Sequence, residues 1–305
     1  MPGKIEQKAI LLYLLIVFGF SSFLITLIHF FGGLKTPAAL GVYGLMMMPA
    51  IGASLMRKWI TKEGFENSGL RIGKKKYYLI AWLLSVATIC ATYGITILTG
   101  FGKVHLTEEE IVTRIKELGE TYGAQISIPT PPPGISLISF LALLAIGNIT
   151  IFLIPAIIFG FGEEFGWRSY LLPKLLRFGR LKAFLLVGFI WWLWHIPLTM
   201  LTSLPAKSVT EAITLSLSGL VSTTLMGIVL AWLFYASESI FPAALAHITF
   251  NQANTALVVF ISFNPLVFNM ILTMILLLIA LVLYRRGCIE AVKIPRLKNK
   301  LIELR

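Results

Sequence analysis

Eight apolar stretches, each of about 20 residues, occupy most of this 305-residue chain. They run approximately Ala9 to Phe31, Ala38 to Met56, Tyr77 to Gly100, Ile135 to Gly160, Lys182 to Ser203, Ala212 to Ala236, Ser239 to Phe260 and Asn264 to Tyr284. A helix of about 20 apolar residues crosses roughly 30 Å of hydrocarbon, and no water is available there to satisfy an open backbone. The expected fold is therefore all-α: a polytopic membrane protein of about eight transmembrane helices, forming a single domain over 1–305. Composition agrees, with 57% hydrophobic residues, 13% charged residues and a mean hydropathy of +0.85. The first stretch is too long for a signal peptide and lacks the small-residue cleavage site, so it is read as a span.

The net charge of +12 is distributed unevenly. Arg57, Lys58, Lys62, Arg71, Lys74, Lys75 and Lys76 fall between spans two and three, and Lys174, Arg177 and Arg180 between four and five. Arg285, Arg286, Lys293, Arg296, Lys298, Lys300 and Arg305 fill the tail. Positive loops face the cytosol, which places both termini inside a multi-pass protein of the cell membrane. Such placement points to anionic lipid headgroups rather than nucleic acid as the partner of the basic residues. The loop from Phe101 to Gly134 is expected outside and carries Glu108, Glu109, Glu110, Glu117 and Glu120. Thr107 followed by Glu110 predicts a capping box and a short helix to about Glu120, stopped by Pro129, Pro131, Pro132 and Pro133. Cys90 and Cys288 lie in a span and in the tail, and predict no disulfide.

Ionisable groups in or beside spans are costly and mark functional sites. The motif-bearing core, approximately 135–260, holds Glu163, Glu164, Arg168, His195, His247 and Asn251. Span four ends near Glu163, whereas His195 lies about 13 residues, roughly 20 Å, into span five, and His247 about 8 residues, roughly 12 Å, into span seven. These depths agree if the helix of span four continues through Arg168 and span five begins outside the hydrocarbon, which puts the site in the cytosolic half of the bilayer. Glu164 pairs with Arg168 at four residues' spacing, His247 and Asn251 share one helix face, and Glu163 points about a hundred degrees from Glu164. Pro49 and Pro155 are expected to kink or end helices, and Gly160-Phe161-Gly162 to break the helix or permit close packing.

Exclusions narrow the chemistry. All 14 acids are Glu, so an aspartyl pair is impossible, and no His-Glu-x-x-His motif occurs. Ser218-Gly219 lacks the preceding glycine of intramembrane serine proteases. What remains is a carboxylate acting on water as general base. Arg168 would hold the second acid ionised, His247 and Asn251 would donate to a tetrahedral oxyanion, and His195 would orient the water or protonate the leaving amine. Glu163, His195 and His247 also make a two-His, one-carboxylate set suited to Zn²⁺, and a metal-free glutamate mechanism stands beside it. A non-catalytic binding or immunity protein and a proton-coupled transporter are the rival classes.

Glu163-Glu164-Phe165-Gly166-Trp167-Arg168, Trp191 with His195, and His247 with Asn251 resemble the EExxxR, [FW]xxxH and HxxxN motifs of the CAAX-processing and bacteriocin-processing (CPBP, or Abi) intramembrane proteases, relatives of the type II CAAX prenyl endopeptidases. The order agrees, as does the eight-span count typical of that group. The resemblance implies that Glu163 activates water with support from Glu164 and Arg168, that His195 is essential, and that His247 and Asn251 stabilise the oxyanion. It implies a membrane-associated peptide or protein substrate: eukaryotic relatives cut the last three residues from prenylated CAAX proteins, and many prokaryotic ones have no prenylated substrate and are linked to peptide maturation or bacteriocin immunity. Entry would be from the cytosol or laterally from the bilayer. Trp191, where many relatives have Phe, is expected to change little. Ser169 stands where relatives commonly have Gly, beside the site.

Overall fold

The computed structural model describes residues 2–121, 126–205 and 207–289, so the tail residues Lys293, Arg296, Lys298, Lys300 and Arg305 lie outside the described residues. In chain order the elements are α1 (Pro2–Phe30), α2 (Gly41–Leu55), α3 (Lys76–Leu98), β1 (Gly102–Val104), α4 (Glu108–Thr121), α5 (Leu137–Asn148) and α6 (Leu153–Glu164). Then come α7 (Leu172–Leu175), α8 (Arg180–Ser203), α9 (Val209–Ser237), α10 (Ile240–Val258), β2 (Ile261–Phe263) and α11 (Pro265–Arg285). α2 runs on into a π-helical turn, Met56–Ile60, and α6 into a longer one, Phe165–Leu171.

The outer surface of the bundle is apolar, unlike that of a water-soluble protein, and its largely apolar core encloses several polar groups. Leu11, Leu79, Ile154 and Leu278 face outward, while Ser85, Thr88, Thr92, Thr96, Glu163, Glu164, Arg168, His247 and Thr249 are buried. Such an arrangement suits a lipid surround, where apolar surface costs nothing and polar groups need partners inside the protein. Thr88, Thr92 and Thr96 of α3 each donate to the carbonyl four residues back, so these hydroxyls are satisfied within their own helix.

Among the described residues six helices are long and apolar enough to cross a membrane, and seven if the pair α5 and α6, bent by 50°, counts as one span. The expected seventh span, Ser239 to Phe260, forms as α10 but is absent from that set. His247, Asn251, Gln252 and Asn254 lower its hydropathy. The helix packs instead against α3, α6 and α9, and much of it is shielded by them.

The two ends of the bundle are distinct. At one, Lys74 and Arg71 pair with Glu238 at 2.9 and 3.3 Å, and Arg177 approaches Glu6 at 3.7 Å. At the other, β1 and β2 form an antiparallel ribbon pairing Gly102 with Phe263. There the Thr107 hydroxyl accepts from the Glu110 amide and the Glu110 carboxylate accepts from the Thr107 amide, forming the expected capping box. Hydrogen bonding to Lys103 and to the Leu106 and Thr107 amides pulls the Glu110 pKa down to about 2. Ile111 and Ile115 of α4 pack on Leu137 and Leu141 of α5.

Pro155 does not kink a span. It is the third residue of α6, where its missing N–H has no helical partner to lose, and the bend falls before it, between α5 and α6. Gly160 and Gly162 serve close packing: a Cβ would stand 2.5 Å from the Ala244 carbonyl oxygen at the first and 2.6 Å from the Met46 carbonyl oxygen at the second. α6 is thereby clamped between α10 and α2.

Candidate active site

The helix carrying the acids runs on past Glu164 through Arg168, which resolves the mismatch of depths. Glu163 and Glu164 are the last two residues of α6, and the π-helical turn after them contains Arg168. Such turns are often found at functional sites. Gly166 makes this one possible, because a Cβ there would collide with Pro49 and the Tyr13 hydroxyl.

Glu164 and Arg168 are fully buried and bonded at 2.9 Å from Arg168 Nη1 to Glu164 Oε1. His247 Nδ1 donates to the same oxygen at 2.9 Å. Two donors on one carboxylate oxygen fix its position, and the second orients the His247 ring, leaving its Nε2 on the far side. Glu163 takes a separate position. Its Oε2 accepts from the Trp191 indole Nε1 at 2.7 Å and stands 3.8 Å from His195 Nε2. His195 Nδ1 donates to the Trp191 carbonyl at 2.9 Å, so the neutral ring carries its lone pair on Nε2, toward Glu163.

Trp191 was expected to change little, yet it joins the two halves. Its indole bonds Glu163, and its ring lies 4.6 Å from the Arg168 guanidinium carbon. The ring centroid is 5.3 Å from that of His195 and 5.1 Å from that of His247, both edge-to-face. A phenyl ring would keep these stacking contacts and lose the hydrogen bond. The usable signal was a Trp on the site helix, since a buried indole N–H requires an acceptor.

A cavity of about 270 Å³ lies beside this cluster, lined by Trp191, His195, Thr199, Ser216, His247 and Asn251 among others. Glu163 lies behind that wall and only 2% of it is exposed. Thr199, Ser216 and Leu272 belong to the halves of α8, α9 and α11 nearer the ribbon, so the cavity extends from the histidines toward the ribbon end. The basic loops lie at the other end. Ser218 is outside the lining, with its hydroxyl donating to the Leu215 carbonyl and accepting from Asn269.

The Glu163, His195 and His247 set does not fit a metal ion. Among the described residues no three His, Cys, Asp or Glu side chains gather as a ligand group.

Ser169 stands next to the site in sequence but faces a different network. Its hydroxyl donates to the Ser68 carbonyl at 2.7 Å, and Arg57 donates to the Ser169 carbonyl at 2.6 Å. Arg57 also pairs with Glu63 at 3.2 Å, and Glu63 with Lys174 at 2.8 Å. This buried cluster ties the π-helical turn of α2 to that of α6. It joins groups remote in sequence and had no motif to announce it.

Apolar helices closing round a Glu-Arg-His-Trp cluster, with a cavity beside two histidines and an asparagine, define an integral membrane protein with a buried cluster of ionisable side chains. Residues 145–253, which include all six candidate residues, match the family described as type II CAAX prenyl endopeptidase Rce1-like. A CAAX prenyl protease 2 of Methanococcus maripaludis is 34% identical over 92 residues, covering 29% of this chain and 34% of that protein. The match thus spans about a third of the length of that curated relative. Over this stretch the chain is similar to the CAAX protease family.

Proposed function

We propose that the protein is an intramembrane endopeptidase in which Glu163 activates water against a peptide carbonyl. The observation that carries this reading is the pairing of Glu163 Oε2 with His195 Nε2 at 3.8 Å, beside a cavity that His195, His247 and Asn251 line. That spacing exceeds a hydrogen bond, and both atoms are available to one water molecule. Glu163 takes a proton as the water oxygen bonds to the carbonyl carbon. The tetrahedral oxyanion is met by the Asn251 amide, whose side chain has no hydrogen-bond partner among the described residues, and by Nε2–H of a His247 imidazolium held by Glu164. The proton that Glu163 took then passes, directly or through His195 Nε2, to the amide nitrogen as the C–N bond breaks, yielding an acid and an amine.

A peptide with a Cys-aliphatic-aliphatic-X end, farnesylated or bare, is the substrate suggested by the relative's name. Purified protein in detergent should release the terminal tripeptide, read by mass spectrometry. Glu163→Gln should retain the fold and lose at least about 10²-fold in rate, the scale of general-base contributions. Cleavage by Glu163→Gln at the wild-type rate overturns the assignment.

A further inference from the structure

We propose that Trp191 is a positioning residue that aims the Glu163 carboxylate and His195 at each other. The proposal rests on the peptidase reading above and adds a group with no role in it.

The two acids are fixed very differently. Glu164 is bound by Arg168 and His247, both at 2.9 Å. Among the described residues Glu163 has a single hydrogen-bond donor, the Trp191 indole at 2.7 Å. A glutamate has three side-chain torsions, so its carboxylate swings unless something fixes its end. The indole is fit for that task because its own ring is packed in place. It is only 5% exposed, with Arg168 at 4.6 Å and the rings of His195 and His247 packed edge-to-face.

The same residue governs the partner. Its carbonyl accepts from His195 Nδ1 at 2.9 Å and thereby turns Nε2 toward Glu163. One residue thus holds the carboxylate through its side chain and the imidazole through its backbone. Only the side-chain arm can be removed by substitution, which separates the two effects.

The test is Trp191→Phe, which keeps a ring against Arg168 and both histidines and deletes the N–H. With the farnesylated peptide, kcat should fall about 10- to 100-fold, the scale for a reacting group displaced by about 1 Å, with KM within about threefold of wild type. Trp59→Phe, at an exposed site, is the control with unchanged kinetics. A second readout needs no turnover. In protein labelled with ¹⁵N-tryptophan, the indole resonance missing from Trp191→Phe identifies Trp191, and Glu163→Gln should shift it. Wild-type kcat in Trp191→Phe, or a resonance unmoved by Glu163→Gln, overturns the proposal. If the wild type cleaves no peptide, the peptidase reading fails, and the resonance still decides the Trp191–Glu163 contact.

Discussion

Adding one methyl group at Gly160 should disarm a site whose nearest acid lies three residues away. A Cβ at Gly160 falls 2.5 Å from the Ala244 carbonyl oxygen, whereas ordinary contact begins at 3.4 Å. The neighbour is backbone and cannot rotate aside, so α6 and α10 must part by the difference, about 0.9 Å. Gly160 and Glu164 lie one turn apart on α6, and Ala244 and His247 one turn apart on α10. The same displacement takes the Glu164–His247 contact from 2.9 Å to about 3.8 Å, beyond hydrogen-bond range. Overpacking of this kind costs ~1–3 kcal/mol, and misplacing catalytic groups by about 1 Å costs ~10²-fold in rate. Gly160→Ala should therefore lower Tm in detergent and reduce peptide cleavage by that factor. Gly94→Ala is the matched control. It lies within α3 with nothing within 4 Å of the added Cβ, so it should gain up to ~0.5–1 kcal/mol from helix propensity. If Gly160→Ala equals wild type in both Tm and rate, the idea that α6–α10 spacing sets the site is refuted.

Two further outcomes follow from the same geometry. Asn251→Ala removes an amide on the cavity wall that is packed against little, so Tm should hold while kcat falls ~10²–10³-fold, the effect of losing one oxyanion donor; an unchanged kcat removes Asn251 from that role. Arg168→Met strands a fully buried Glu164 beside His247 and should cost ~3–5 kcal/mol, seen as a lower Tm. Adding Glu164→Gln to Arg168→Met should recover part of that loss, and a double variant less stable than Arg168→Met contradicts the pairing.

Much of this protein was legible in its sequence because lipid imposes simple demands. Long apolar runs have to be helices, and a Glu, Arg or His among them needs a partner. The capping box at Thr107 and Glu110 was equally readable, since its bonds span three residues. Pro155 was misjudged because a proline's effect depends on its distance from the helix start, and that start was hidden within an unbroken apolar stretch. α10 was counted as a span by length, although the polar residues it carries make it depend on its neighbours rather than on lipid.

The sequence by itself determined the helical membrane fold and the short-range pairs, Glu164 with Arg168 and His247 with Asn251, because a helix repeats every 3.6 residues and spacing alone fixes a shared face. Only the tertiary structure decided which partner each acid takes. Glu163 and Glu164 are neighbours in the chain, yet one meets Trp191 and His195 while the other meets Arg168 and His247. That division arises where α6, α8 and α10 pack together. Gly160 lets α6 approach α10 closely, and the long-range distances this sets depend on side-chain volume at contacts that no local pattern records.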